Sequence, residues 1–289
     1  MFQSSLTSAA ERIEARLSAA LAGSADQPVT HAMRYAVSGG KRLRGFLVIE
    51  SAGLYGIAPE AAVDAAAAVE ALHAYSLVHD DMPCMDDDDL RRGQPTVHVK
   101  WDDGTALLTG DALQTLAFDL LAGPSCHADP AVRIDLVASL AKASGIDGMV
   151  LGQAQDIAAE TAGRPLSLEE ITELQANKTG ALIRWSAEAG ARLARADIAP
   201  LTAYSTALGL AFQIADDILD VEGDAAKTGK RVHKDAEAGK ATFVSLLGLD
   251  GAKARAKALV EEAEDALSPF GEGAETLKQA ARFVIARES

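Results

Sequence analysis

The chain has 289 residues and a formal charge of −15, from 27 Lys and Arg against 42 Asp and Glu, which excludes general binding of nucleic acid or anionic lipid headgroups. Hydrophobic residues make up 48% but aromatic ones only 4%, so the apolar share rests largely on alanine, which suits helices and gives a sheet little to pack. Cys84 and Cys126 are too few for a disulfide framework and match no zinc spacing.

In chain order, residues 9–21 place Ile13, Leu17 and Leu21 four apart, which predicts a helix with one apolar stripe. The opening residues have no basic region leading into an apolar stretch, so no secretory signal is expected. Residues 63–79 form a long alanine-rich segment without interior Gly or Pro. Further helices are expected over 104–121, 131–143, 168–177, 201–221 and 252–267. Gly- and Pro-bearing breaks fall at 23–28, 56–59, 123–130, 163–165 and 223–239. No strand-like alternation stands out. No window reaches 18 uncharged apolar residues, so no stable membrane insertion is expected. With no linker, composition shift or repeat, the expectation is a single all-α domain over residues 1–289, in the cytoplasm.

The densest chemistry is HDDMPCMDDDDLRRG, residues 79–93. Pro83 should end the preceding helix, leaving Asp80 and Asp81 in its last turn. There the helix dipole is negative, and each carboxylate costs a few tenths of a kcal/mol or more. Six carboxylates within ten residues repel one another unless a cation sits among them. A solvated acidic loop is the plain alternative. Against it stand the apolar helix that feeds the run and the anion-binding pair Arg91 and Arg92 that follows. The alternating pattern and closing Glu of an EF-hand are absent, and oxygen-only donors point to Mg²⁺, which keeps several waters and bridges to substrate phosphates.

A second run, FQIADDILD at 212–220, puts Gln213, Asp216, Asp217 and Asp220 three or four apart on one helical face with apolar neighbours. A solvent-facing acidic stripe is again the alternative, but carboxylates in so apolar a helix need a partner, and a metal serves. Basic residues are gathered in islands. GGKRLR at 39–44 offers Lys41, Arg42 and Arg44 behind two glycines, and NKTG at 177–180 offers Lys178 and Thr179. Lys227, Lys230, Arg231 and Lys240 follow the second acidic run. GGKRLR is not a P-loop, since the G-K-[ST] order is missing. Two facing acidic clusters with metals, a diphosphate between them and cations around it would stabilise a leaving group. Apolar helix faces would shield an allylic carbocation from water.

GGKRLR, HAYSLVHDDMPCMDDDDLRRG, GDALQTLAF, NKTGALI, FQIADDILD and GKATFVSLLG occur in the order and spacing of trans-isoprenyl diphosphate synthases, which the chain resembles over residues 39–247. It looks most like the bacterial farnesyl-forming members. The resemblance implies an all-α bundle around a central cavity, usually a homodimer. It implies head-to-tail condensation of isopentenyl diphosphate with dimethylallyl and geranyl diphosphates, with three Mg²⁺ ions per site. Asp80 and Asp86 would ligate two ions, supported by Asp81, and Asp216, beside Asp217, a third. Lys41, Arg44, His73 and Arg92 would hold isopentenyl diphosphate. Arg91, Lys178, Thr179, Gln213, Lys230 and Lys240 would hold the allylic diphosphate, with Gln153 and Asp156 flanking. A geranylgeranyl-forming member is the alternative. A non-catalytic regulatory subunit of a prenyl synthase would have lost one acidic motif or the basic residues, and a terpene cyclase would lack GGKRLR.

Tyr75 stands at the position whose aromatic side chain floors the pocket in bacterial farnesyl-forming relatives. Helical geometry puts Ser76 more directly beneath Asp80, at about 400° of rotation, and turns Tyr75 away by about 140°. Geometry therefore leaves both as chain-length candidates, and only the resemblance selects Tyr75. His73 lies two turns below Asp80, whereas His79 reads as structural. Lys227 and Thr228 replace the family's usual Thr-Leu before Gly229 and Lys230.

Overall fold

A computed structural model describes residues 2–161, 163–222 and 241–286. The chain is all-α. Its elements are α1 (Phe2–Leu21), α2 (Pro28–Ala36), α3 (Leu43–Gly53), α4 (Pro59–Asp80), α5 (Val97–Lys100), α6 (Asp103–Ala122), α7 (Pro130–Ser144), α8 (Met149–Glu160) and α9 (Leu168–Gln175). A π-turn (Ala176–Gly180) leads into α10 (Ala181–Leu193), followed by α11 (Ala199–Glu222), α12 (Phe243–Leu247), α13 (Leu249–Ala266), a 3₁₀ turn (Ser268–Ala274) and α14 (Glu275–Ala286). The only strands among the described residues, β1 (Leu90–Arg91) and β2 (Gln94–Pro95), pair antiparallel in a hairpin that alternation could not reveal. Two residues per strand are too few to show a period.

Contacts divide the chain into two compact units: Gln3–Ala138 with Arg192–Ala196, and Phe2 with Ser139–Ala191 and Asp197–Ser289.

In the first unit α4 is the core helix. Pro59 opens it at a position whose N–H needs no helical partner, and alanines from Ala62 to Ala74 let α3 and α6 pack closely on it. Among the described residues it alone is long and apolar enough to cross a bilayer, yet most of it is buried inside the protein. Its buried acids are paired. Asp64 meets Arg16 of α1, and Glu70 accepts from the Gly45 backbone at 2.9 Å and faces Arg42 at 3.6 Å. A Cβ on Gly45 would lie 2.4 Å from Ile13, so glycine is what lets α1 and α3 approach there. Asp102 caps α6 by accepting from Thr105 N–H at 2.7 Å.

In the second unit α11 packs on α13 and α14, with Tyr204 buried and its hydroxyl donating to the Leu277 carbonyl at 2.9 Å. A capping box of Ser167 and Glu170 starts α9. The π-turn that follows is seated against glycines. A Cβ on Gly209 would lie 3.4 Å from the Gly180 Cα, and one on Gly152 only 2.1 Å from the Lys178 backbone nitrogen.

Candidate active site

The first acidic group belongs to the first unit. α4 ends at Asp80, and the chain turns back so that the Asp86 N–H donates to the Asp80 carbonyl at 2.8 Å. This one bond brings together two carboxylate-bearing residues six apart in sequence. Asp86 is exposed, while Asp81 is 3% exposed and clamped by Arg91. Arg91 Nε donates to its two oxygens at 2.7 and 3.0 Å, and Nη2 lies 2.5 Å away. Burial raises the Asp81 carboxyl above the usual range, against the lowering effect of Arg91.

Arg91 and Arg92 are presented by the hairpin. Its two-residue turn is Arg92 (φ 53°) and Gly93 (φ 74°), both left-handed, as a type I′ turn demands. The hairpin is tied to α2, since the Tyr35 hydroxyl donates to the Pro95 carbonyl at 2.7 Å. The Tyr35 ring meets Trp101 edge-on at 5.4 Å, and the Lys100 ammonium sits 3.6 Å over it.

The Arg92 guanidinium lies against the GGKRLR loop. A Cβ on Gly40 would come within 2.6 Å of Arg92 Nη1, and the φ of Gly40 is +91°. The glycine therefore makes room for an arginine. In the same loop Arg42 is buried and left-handed (φ 53°), bonded to the Val37 carbonyl and facing Glu70, so it braces the fold while exposed Lys41 and half-buried Arg44 flank it. Sequence grouping alone could not separate these three cations. Burial, then the charges of Arg44, Arg92, Arg91 and Arg42, hold His73 well below the ordinary histidine range. Burial and the charges of Arg42 and Arg91 likewise pull Arg92 down, against Glu70 and Asp81. The imidazole thus sits within the electrostatic reach of four guanidiniums, a local concentration of positive charge in an acidic chain.

Tyr75 is 7% exposed, and burial raises its phenol above the ordinary range. Ser76 donates its hydroxyl back to the His73 carbonyl at 2.9 Å. His79 packs against Gly110 of α6, with Nε2 3.0 Å from the Leu107 carbonyl.

The second group belongs to the second unit. Lys178, in the π-turn, pairs with Asp156 of α8 at 2.6 Å, and Asn177 donates to Gln155 at 3.1 Å. Gln213 of α11 donates to Gln175 at 2.9 Å. Asp216 is exposed, and Asp217 accepts from the Phe243 N–H, the first of α12, at 2.6 Å. Thr179 is half-buried in the π-turn, and Gln153 is half-buried on α8. Sequence reading missed Gln155, Gln175 and Asn177, because amides this common carry no signal until folding pairs them. Lys227, Lys230, Arg231 and Lys240 lie outside the described residues.

Among the described residues no three His, Cys, Asp or Glu side chains converge as a metal cage. The donors that do occur are carboxylates, and the bond closing Asp80 on Asp86 offers two of them from one loop. Such a set fits Mg²⁺, which takes one or two carboxylates and completes its shell with water and phosphate oxygens.

Residues 26–278 match the family model described as polyprenyl synthetase. The farnesyl diphosphate synthase of Escherichia coli (strain K12) is 45% identical over 269 residues, covering 90% of this chain and 89% of that protein. That of Haemophilus influenzae is 42% identical, covering 100% and 99%. The crystal structure of an FPP/GFPP synthase from Zymomonas mobilis superposes with a TM-score of 0.91 at 47% identity, covering 98% of each chain.

Proposed function

The chain belongs to the polyprenyl synthetase family, and from that premise we propose that it is a Mg²⁺-dependent farnesyl diphosphate synthase. It condenses isopentenyl diphosphate with dimethylallyl and then geranyl diphosphate, releasing diphosphate each time. The observation that carries this reading is a cation site built beside an anion site: the Asp80–Asp86 closure next to the arginine hairpin and His73. The match over residues 26–278 spans both units and supports one domain over 1–289.

Asp80 and Asp86 in the first group and Asp216 in the second would hold Mg²⁺, three ions in all. When bound, the ions neutralise charge on the departing diphosphate. Asp81 orients Arg91, and Asp217 anchors α12. Arg91, Lys178, Thr179 and Gln213, with Lys230 and Lys240, grip the allylic diphosphate. Lys41, Arg44, Arg92 and His73 grip that of isopentenyl diphosphate. Neutral His73 serves there as a hydrogen-bond donor, and a bound dianion relieves the repulsion among the guanidiniums around it. Once the allylic carbon–oxygen bond breaks, the alkene of isopentenyl diphosphate attacks the cation. The adduct then loses a proton to the released diphosphate, so no protein nucleophile is needed.

Tyr75 closes the end of the chain pocket. The commitment of the Ser76 hydroxyl to its own helix supports Tyr75 over Ser76 as the length-setting side chain. The family resemblance supports a homodimer. The free thiols of Cys84 and Cys126 support a reducing cytoplasm. Incubation with dimethylallyl and isopentenyl diphosphates and Mg²⁺ should yield a fifteen-carbon product. A twenty-carbon product moves the assignment to a geranylgeranyl synthase. No product, or one indifferent to removal of Mg²⁺, overturns the reading in favour of a regulatory subunit.

A further inference from the structure

Tyr75 does not hold its position alone. One turn later on α4, the His79 ring meets it edge to face, with centroids 5.6 Å apart and planes at 85°. His79 is itself fixed from α6. Its Nε2 lies 3.0 Å from the Leu107 carbonyl, which can only accept, so Nε2 carries the proton. At Gly110, one turn along the same face of α6, an added Cβ would stand 2.0 Å from Nε2 and 2.3 Å from Cδ2. The imidazole occupies the space a side chain would take there. α6 thus positions the imidazole, which braces the Tyr75 ring, while Gln114 of the same helix bonds the phenol hydroxyl.

The geometry points to His79 and Gly110 as positioning residues for product length. Gly110 admits the imidazole, and the imidazole holds the Tyr75 ring across the end of the chain pocket. This rests on the farnesyl-forming reading above, and deepens it by assigning the length setting to three residues on two helices rather than to one ring. With Gln114 still holding the hydroxyl, loss of the edge-to-face contact weakens the hold on the ring by about fivefold. A ring turned aside leaves room for a further five-carbon unit.

The experiment uses the full chain with dimethylallyl and isopentenyl diphosphates and Mg²⁺, with products resolved by length. His79→Ala removes both the ring and its bond to Leu107. His79→Gln keeps a donor for the Leu107 carbonyl but lacks the ring. Both are expected to raise the ratio of twenty- to fifteen-carbon product about fivefold. Gly110→Ala, which displaces the imidazole, is expected to do the same, and the His79 variants stand in for it if it fails to fold. In a Tyr75→Ala background, His79→Ala should add no further lengthening, because the ring it positions is gone. Loss of rate with an unchanged product ratio in both His79 variants would mark His79 as merely structural and overturn the inference. Full additivity in the Tyr75→Ala background would overturn it as well. A wild-type chain that makes no fifteen-carbon product fails the function reading itself, a separate result.

Discussion

Each acidic motif holds an Asp-Asp pair, and the two units treat their pairs alike in outline and differently in substance. In both, the first aspartate is the more exposed and the second is committed inward. Asp81 is committed to a charge, the Arg91 guanidinium, and Asp217 to a backbone dipole, the Phe243 N–H at the start of α12. The cations divide the same way. Arg91 sits on a turn-locked hairpin tied by Tyr35, whose ring Lys100 and Trp101 pack against, whereas Lys178 sits on a π-turn seated against glycine. Spacing that looks like duplication in sequence therefore hides two constructions. Both hold a cation by an ion pair, Arg91 on Asp81 and Lys178 on Asp156. The first is mounted on a hairpin tied by Tyr35 and its aromatic contacts, the second on a turn seated by backbone close approach.

The largest effect should fall on the exposed members. Asp80→Ala and Asp216→Ala should each lower kcat/KM by about a thousandfold, as loss of a charge-stabilising group does in catalysis. A loss confined to one of them, in steady-state assays, would break the parallel between the motifs. The inward members should separate the two constructions. Asp81→Ala removes the carboxylate that clamps half-buried Arg91 and should cost about 2 kcal/mol of stability. Asp217→Ala removes the acceptor of the Phe243 N–H and should cost about 1 kcal/mol. Asp217→Asn, whose amide oxygen still accepts from Phe243, should cost less again. Urea denaturation checks all three, and equal losses at Asp81 and Asp217 would erase the distinction.

His73 sharpens the contrast through pH. Its folded pKa lies well below 6.5, the unfolded value, so the unfolded chain takes up a proton that the folded chain refuses. Its contribution to stability is present above 6.5 and is lost as pH falls through that value toward the folded pKa. The slope attributable to it should approach about 1.4 kcal/mol per pH unit below 6.5, and His73→Gln should shrink the fall in unfolding free energy between pH 7 and pH 5, read by urea denaturation, by about 2 kcal/mol. An unchanged slope would place the arginine charges elsewhere. The smallest effect should be Tyr35→Phe, which deletes the bond to Pro95. It should cost about 1 kcal/mol or less and raise KM for isopentenyl diphosphate a few-fold at constant kcat. A change in kcat instead would give the clasp a different role.

Much of the chemistry was legible in the residues. The helix that ends at Asp80 follows from alanine content and Pro83, and the structure ends α4 there. The all-α class follows from the scarcity of β-branched and aromatic alternation. The helices α2, α3, α5, α8, α10, α12 and α14 went unread: α5 and α12 are too short to show a period, whereas α2, α10 and α14 do carry an apolar stripe that the alanine-rich reading passed over. Within GGKRLR the resemblance already set Lys41 and Arg44 apart from Arg42, but not why. Arg42 became a brace through a left-handed backbone and a bond to Val37, and neither leaves a trace in the order of residues.

Sequence by itself determined which chemistry is available: carboxylates at helix ends, arginines beside them and an aromatic ring one turn below. These are properties of residue type and short-range spacing, which helical periodicity carries directly into space. Only the tertiary structure decided which of those groups are spent on each other. Asp81 on Arg91, Asp217 on α12, Lys178 on Asp156 and His79 on Tyr75 depend on partners or seats that later elements bring within about 3 Å of a polar atom or 6 Å of a ring centre. Pairing at that range is set by close packing rather than by composition, which is why Gly40, Gly110 and Gly152, residues without a side chain, fix where the chemically active ones stand.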